Sequence, residues 1–240
     1  LAEAAEPTDG SAIVRPRWIL AGLAVATLVL WQFQWGQFAL YPFTLLATYA
    51  HEMGHGLTAA LLGQDFVSLR LFPDGSGVAH WQGDAGRVGR ALIAAGGLVG
   101  PSIAGGALLA ATRVHRASRW LLLTLGLFAA GSVLLVVRNG FGVLFVGGFA
   151  AATFAVVRFR PQWSPLAVQI LAVELALSVF RDVDYMFSNQ AVVAGVPRPS
   201  DSGVMAEALI LPYWFWGTVV ALFSLAAVGF GAWIALDRRK

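Results

Sequence analysis

The chain has 240 residues, of which 58% are hydrophobic and only 12% charged, with a mean hydropathy of +0.72. A soluble domain averages about 25% charged residues, so this composition excludes an ordinary soluble fold and is better counted in membrane spans of about 20 residues. The net charge of +3 comes from arginine clusters that lie between apolar runs without stacking aromatics among them, which fits lipid headgroups and excludes a nucleic-acid partner.

Cysteine is absent, so disulfides are excluded and any metal must be held by His, Asp or Glu. Residues 1–17 are polar and acidic and are expected to form a flexible N-terminal tail ahead of a single integral-membrane domain over 18–240. Seven apolar segments follow, at 18–40, 42–63, 91–112, 119–137, 139–157, 164–183 and 210–236. The first is preceded by Arg15 and Arg17, but it is too long for a signal-peptide core and has no small-residue cleavage site, so it reads as a retained span. The fold class expected is an all-α polytopic membrane protein of about six to seven transmembrane helices.

The second segment carries His51-Glu52-Met53-Gly54-His55. Residues four apart share a helix face, so the two imidazoles can hold one zinc ion. Glu52, turned about 100° from His51, can then act as general base toward a water held by the metal. Chance occurrence of this pattern in a chain of such composition is roughly one in a thousand, and ionisable groups inside a bilayer are costly. Two histidines packed against neighbouring helices are the bland alternative.

Between the second and third segments, Phe66 to Phe72 and Val78 to Trp81 flank the turn Pro73-Asp74-Gly75-Ser76-Gly77, the pattern of a small β-hairpin. Its first strand offers an edge to which an extended substrate can add. In the third segment Gly96, Gly100 and Ala104 recur at four-residue spacing, which permits close helix approach in lipid. Arg138-Asn139-Gly140 interrupts the fourth and fifth segments; the Asn139 amide can bind an extended peptide, or Asn-Gly can simply be a turn. Asn189 to Pro212 reads as a polar loop with a short helix beginning near Asp201, capped by Ser200 or Asp201.

A catalytic zinc site needs a third protein ligand. His80 and His115 lie in polar connections and suit surface histidines. Asp182 is the preferred ligand, because Glu174, Ser178 and Asp182 share one side of the sixth span; Asp201 is the alternative and requires its loop to re-enter the membrane. Asp182 or Asp184 pairing with Arg181, and Glu174 bonding a neighbouring helix, are the structural readings of those acids.

With these residues in place, the chain resembles the site-2 protease family of intramembrane zinc metallopeptidases, in its compact bacterial and plant branch. The likeness rests on His51-Glu52-Met53-Gly54-His55-Gly56, Phe72-Pro73-Asp74-Gly75-Ser76-Gly77, Gly97-Leu98-Val99-Gly100-Pro101, Arg138-Asn139-Gly140-Phe141-Gly142, Arg181-Asp182-Val183 and Ser200-Asp201-Ser202. The resemblance implies zinc-dependent hydrolysis of membrane-embedded protein substrates, with two His and one Asp as ligands, Glu52 as base, and residence in a bacterial cell membrane. The Asn-Pro-rich segment ending Asp-Gly that carries the ligand Asp in better-studied members is missing, which leaves Asp182 and Asp201 both open. The rival reading is a non-proteolytic metal-binding transporter or assembly factor, against which the presence of Glu52 argues.

Overall fold

The computed structural model describes residues 16–237, so nearly all of the expected N-terminal tail lies outside the described residues. The chain runs α1 (Pro16–Leu30), α2 (Gln34–Leu61), β1 (Asp65–Leu71), β2 (Gly77–Gln82), α3 (Gly86–Ala111), α4 (Ser118–Leu135), α5 (Gly140–Phe159), α6 (Ser164–Arg181), α7 (Val183–Met186), β3 (Gln190–Val193), β4 (Val196–Pro199), α8 (Asp201–Ala208) and α9 (Tyr213–Leu236). Helices dominate, and among the described residues five are long and apolar enough to cross a membrane; α1 and α2, bent by 120° at their junction, count together as a sixth span. The protein is thus a multi-pass membrane protein.

The first two expected spans meet at a different place from that read in the sequence. The helix breaks at residues 31–33 rather than near 41, because α2 folds back on the end of α1. A Cβ on Gly36 would lie 2.1 Å from the Leu30 carbonyl oxygen, so only glycine permits that approach. Pro42 sits inside α2 without ending it.

In lipid, apolar burial drives helices together weakly, and van der Waals contact between small residues does more. Helix α3 is the centre of the packing and touches α2, α6, α8 and α9. Against α2 it uses the expected stripe: a Cβ on Gly54 would lie 2.2 Å from the Gly96 carbonyl oxygen, and one on Gly100 2.6 Å from that of Ala50. The opposite sides of the outer helices carry exposed Trp120, Leu134, Leu144 and Phe230, as a lipid-facing surface does.

The expected hairpin forms. β1 and β2 are antiparallel from Asp65↔Gln82 to Leu71↔Gly77, and Asp74 shapes the turn by accepting from the Ser76 backbone N–H (2.9 Å) and hydroxyl (2.6 Å). Those bonds hold the Asp74 carboxyl below its usual pKa. Tyr41 and Thr48 donate to the Pro73 and Gly75 carbonyls at 2.6 and 2.7 Å, laying the hairpin along α2. A second hairpin, β3–β4, replaces the polar loop read at 189–200. Its signal was the pair Ala194-Gly195 (φ 50° and 76°), a two-residue turn that needs positive φ at both positions.

Candidate metal centre

Helical periodicity brings His51 and His55 onto one face of α2, with their Nε2 atoms 3.1 Å apart. The tautomer of His55 follows from its neighbour. Its Nδ1 lies 2.8 Å from the Ile93 carbonyl oxygen, which can only accept, so Nδ1 carries the hydrogen and Nε2 keeps a free lone pair. α3 also sets the ring's place: a Cβ on Gly97 would lie 2.1 Å from His55 Cε1 and 2.2 Å from Nε2. The Ile93 carbonyl and the bare Cα of Gly97 together form a slot for the imidazole.

The residue that joins the two imidazoles is Asp201. Its Oδ2 lies 3.0 Å from His51 Nε2 and its Oδ1 3.4 Å from His55 Nε2, and one ligand atom from each of the three residues falls within 4.8 Å of the others. Two imidazole nitrogens and a carboxylate converging in a buried site form a donor set suited to a divalent cation, with a position left over for water or substrate. Burial opposes the Asp201 charge, which the two imidazoles offset when they are protonated and a cation held between them would offset when they are neutral.

Local sequence explains how Asp201 arrives there. Ser200 is the N-cap of α8, accepting from the Gly203 N–H at 3.0 Å, so the Asp201 side chain is released from capping. Ser200 also donates to the Ser188 carbonyl and Ser202 to that of Met186, at 2.6 Å for the latter, pinning α8 against the end of α7. Arg87 Nε donates to the Ala208 carbonyl at 2.8 Å and holds the other end of α8. The loop thus folds back over α2 and brings Asp201 to the two imidazoles.

Asp182, the preferred third ligand in the sequence, does not join this cluster. It is the residue at which α6 ends, its side chain lies 3.4 Å from Arg181 Nε, and it stands at the mouth of the cleft. The chain still has to pass through α7 and both strands of the second hairpin before it meets the imidazoles. Asn139 is likewise elsewhere: its Nδ2 donates to the Leu71 carbonyl at 2.6 Å and its Oδ1 accepts from the Leu71 N–H at 3.2 Å. It imitates a strand backbone, but on the chain's own β1 rather than in the cleft. Glu174 accepts from Thr27 at 2.6 Å and ties α6 to α1; His80 is exposed on β2, and the side chain of His115 lies outside what is described.

Glu52 is buried beside His51 and accepts a hydrogen bond from the Ala79 backbone N–H. β2 can approach this closely because Gly77 has no side chain; a Cβ there would lie 2.7 Å from Glu52 Cγ. A cleft of about 290 Å³ opens over these groups, lined by His51, Glu52, Gly77, Asp182, Tyr185 and Val192 among others. A larger cavity of about 540 Å³ lies on the opposite face of α2, between Tyr49, Met53 and Leu57, and contains none of the donor residues. His51 and Glu52 line the smaller, more polar cleft.

Tyr185 was not singled out in the sequence, where nothing distinguishes it. Its hydroxyl donates to Asp201 Oδ2 at 3.0 Å and its ring stands edge-on to His51 at 5.8 Å. Burial and the Asp201 charge raise its pKa above the ordinary phenol value, which keeps the hydroxyl a donor.

The strand edge available at this cleft also differs from the one expected. Leu69 donates to the Val136 carbonyl at 2.8 Å and accepts from the Arg138 N–H at 3.0 Å, while Leu71 is bound by Asn139. The outer edge of β1 is therefore occupied from Leu69 to Leu71. Their partners Ala79 and Gly77 must then turn their own N–H and C=O away from β1; the Ala79 N–H is taken by Glu52, so the open part of this edge of β2 is the Ala79 C=O and the N–H and C=O of Gly77.

A protein-family model described as Peptidase M50B-like matches residues 19–231, nearly the whole described chain. Searches of curated proteins and of solved structures return no significant match.

Proposed function

The chain belongs to the Peptidase M50B-like family, and from that premise we propose that it is an intramembrane zinc metalloprotease that cleaves membrane-embedded protein substrates. The observation that supports this most is the convergence of His51, His55 and Asp201 next to a carboxylate, Glu52, that is not itself part of the donor cluster. A site that only stored or passed on a metal would have no use for such a base.

In this reading His51 Nε2, His55 Nε2 and one Asp201 oxygen would hold the ion. Zinc supplies a Lewis acid that polarises the scissile carbonyl and acidifies a water. Glu52 accepts the proton that the attacking water gives up and delivers it to the departing amine nitrogen as the C–N bond breaks. The Ala79 N–H keeps the carboxylate turned toward the cleft, and Tyr185 keeps Asp201 turned toward the imidazoles. A transmembrane helix has its amides bonded internally and must unwind before attack; the open edge of β2 takes up the freed backbone by strand addition.

The test is Glu52→Gln, which preserves shape but cannot accept the proton. Purified protein is expected to keep its zinc and to lose cleavage of an unfolded, membrane-anchored reporter by at least about a hundredfold. Cleavage at the wild-type rate by that variant would end the proposal.

A further inference from the structure

The first hairpin finds its use in the mechanism above, whereas β3–β4 does not. Its pairs are Gln190↔Pro199, Ala191↔Arg198, Val192↔Pro197 and Val193↔Val196. Proline lacks an N–H and is tolerated in a ladder where that N–H would face away from the partner strand. Pro197 and Pro199 therefore mark the non-hydrogen-bonded pairs. Opposite them, Val192 and Gln190 turn their own N–H and C=O away from β4.

The outward groups of Gln190 are already taken. Its N–H donates to Ser188 Oγ at 3.2 Å, and the Ser188 hydroxyl donates to its carbonyl. Further along, the Ala194 N–H donates to Ser76 Oγ at 3.2 Å and joins the turns of the two hairpins. Between these ties stands Val192, 65% exposed and on the wall of the cleft; among the described residues nothing outside the hairpin bonds to its outward N–H or C=O. The same cleft is lined by Gly77, whose backbone faces away from β1.

We propose that β3 is a second substrate-holding strand: an extended peptide segment lies between the outer edges of β2 and β3 and bonds through its backbone to Gly77 and Val192. The ligand is a peptide and not a lipid chain, because what the cleft offers is main-chain donors and acceptors, which an acyl chain cannot use. A single edge would satisfy only alternate N–H and C=O groups of an unwound segment and leave the rest bare inside the membrane, where each unsatisfied group is costly. Two edges satisfy both sides. The inference rests on the protease reading for its substrate, but its binding can be measured without cleavage.

The probe is a short fluorescein-labelled peptide of alternating Val and Thr, titrated by anisotropy into detergent-solubilised protein carrying Glu52→Gln. Val192→Pro removes an N–H that β4 does not use, and Val192→Ala retains it. Ala191→Pro, which removes a ladder bond, is the reference for a damaged hairpin, and its melting temperature is expected to fall while that of Val192→Pro does not. Val192→Pro is expected to bind the peptide about 2- to 12-fold more weakly than Val192→Ala, the effect of one net backbone hydrogen bond. A copy of the peptide N-methylated at alternate residues should lose affinity for both. Equal binding by Val192→Pro and Val192→Ala, or no peptide binding to the Glu52→Gln protein, overturns the proposal. Wild-type cleavage of the reporter is scored separately. Intact cleavage with equal binding removes the second strand and leaves the protease, while weakened binding without cleavage removes the protease and leaves the strand.

Discussion

The slot that α3 provides for His55 can be tested with a single methyl group. In Gly97→Ala the new Cβ would begin 2.1 Å from His55 Cε1 and 2.2 Å from Nε2, against an ordinary contact of 3.4–4 Å, so one partner must yield by more than an ångström. The imidazole is poorly placed to do so, because its Nδ1 is bonded to Ile93 at 2.8 Å and its Nε2 faces His51 and Asp201 at 3.1 and 3.4 Å. Metal–ligand distances tolerate about 0.2 Å, so moving the ring dismantles the site. Moving α3 instead would break the close contacts of its Gly96 and Gly100 with Gly54 and Ala50 of α2. Overpacking of this kind costs about 1–3 kcal/mol, and if the ligand geometry bears all of it zinc binds roughly 5- to 150-fold more weakly. The assay is a competitive titration against a zinc chelator in detergent, with far-ultraviolet circular dichroism to confirm that the helices remain. Gly147→Ala, where a Cβ would meet nothing within 4 Å, is the control and should behave as wild type. Wild-type zinc affinity in Gly97→Ala would show that the ring has room, and the slot argument would be wrong.

Three further outcomes are expected. Asp201→Ala should lose zinc and activity together, whereas Asp182→Ala should retain full zinc by elemental analysis; the opposite pattern would return the third ligand to Asp182. Asn139→Ala leaves the buried outer-edge backbone groups of Leu71 without partners, so the melting temperature should fall by an amount equivalent to about 1–3 kcal/mol while the KM of the folded fraction stays put; a KM rise with unchanged stability would restore a substrate-binding role. Tyr185→Phe removes only the hydroxyl that orients Asp201 and should weaken zinc binding about 10- to 100-fold, and an unchanged chelator titration would show that Asp201 needs no such support.

The residues that could be read directly are those whose chemistry is local. His51 and His55 share a face wherever their segment is helical, and the apolar run around them makes that segment helical; α2 counts as a membrane span only together with α1. The Pro73-Asp74-Gly75 turn carries its own hydrogen-bond partners within a few residues, so the first hairpin was legible too. The second was missed because its signal, Ala194-Gly195 with prolines at alternate positions of the return strand, resembles an irregular loop when no neighbouring strand is known.

Family membership, by contrast, was visible from short motifs whose individual roles were not. Asn139 shows the difference: its amide was recognisable as a backbone mimic, but that it binds Leu71 of its own chain follows only from where α5 begins relative to β1. The choice between Asp182 and Asp201 was of the same kind. Both acids stand near the end or start of a helix, and helical spacing favoured Asp182 because Glu174 and Ser178 lie on the same side of α6. What overrides that spacing is the path of the chain after Arg181. β3–β4 turns it back, Ser200 caps α8, Ser202 and Arg87 fasten that helix, and Asp201 is delivered to the two imidazoles. Sequence alone thus determined a polytopic membrane protein with an H-E-x-x-H helix and a β-hairpin after it, because periodicity, hydropathy and turn chemistry act over a few residues. That Asp201 joins the two imidazoles, that the edge of β2 is the one left open, and that His55 sits in a slot were decided by tertiary structure, because each depends on contacts between elements far apart in the chain.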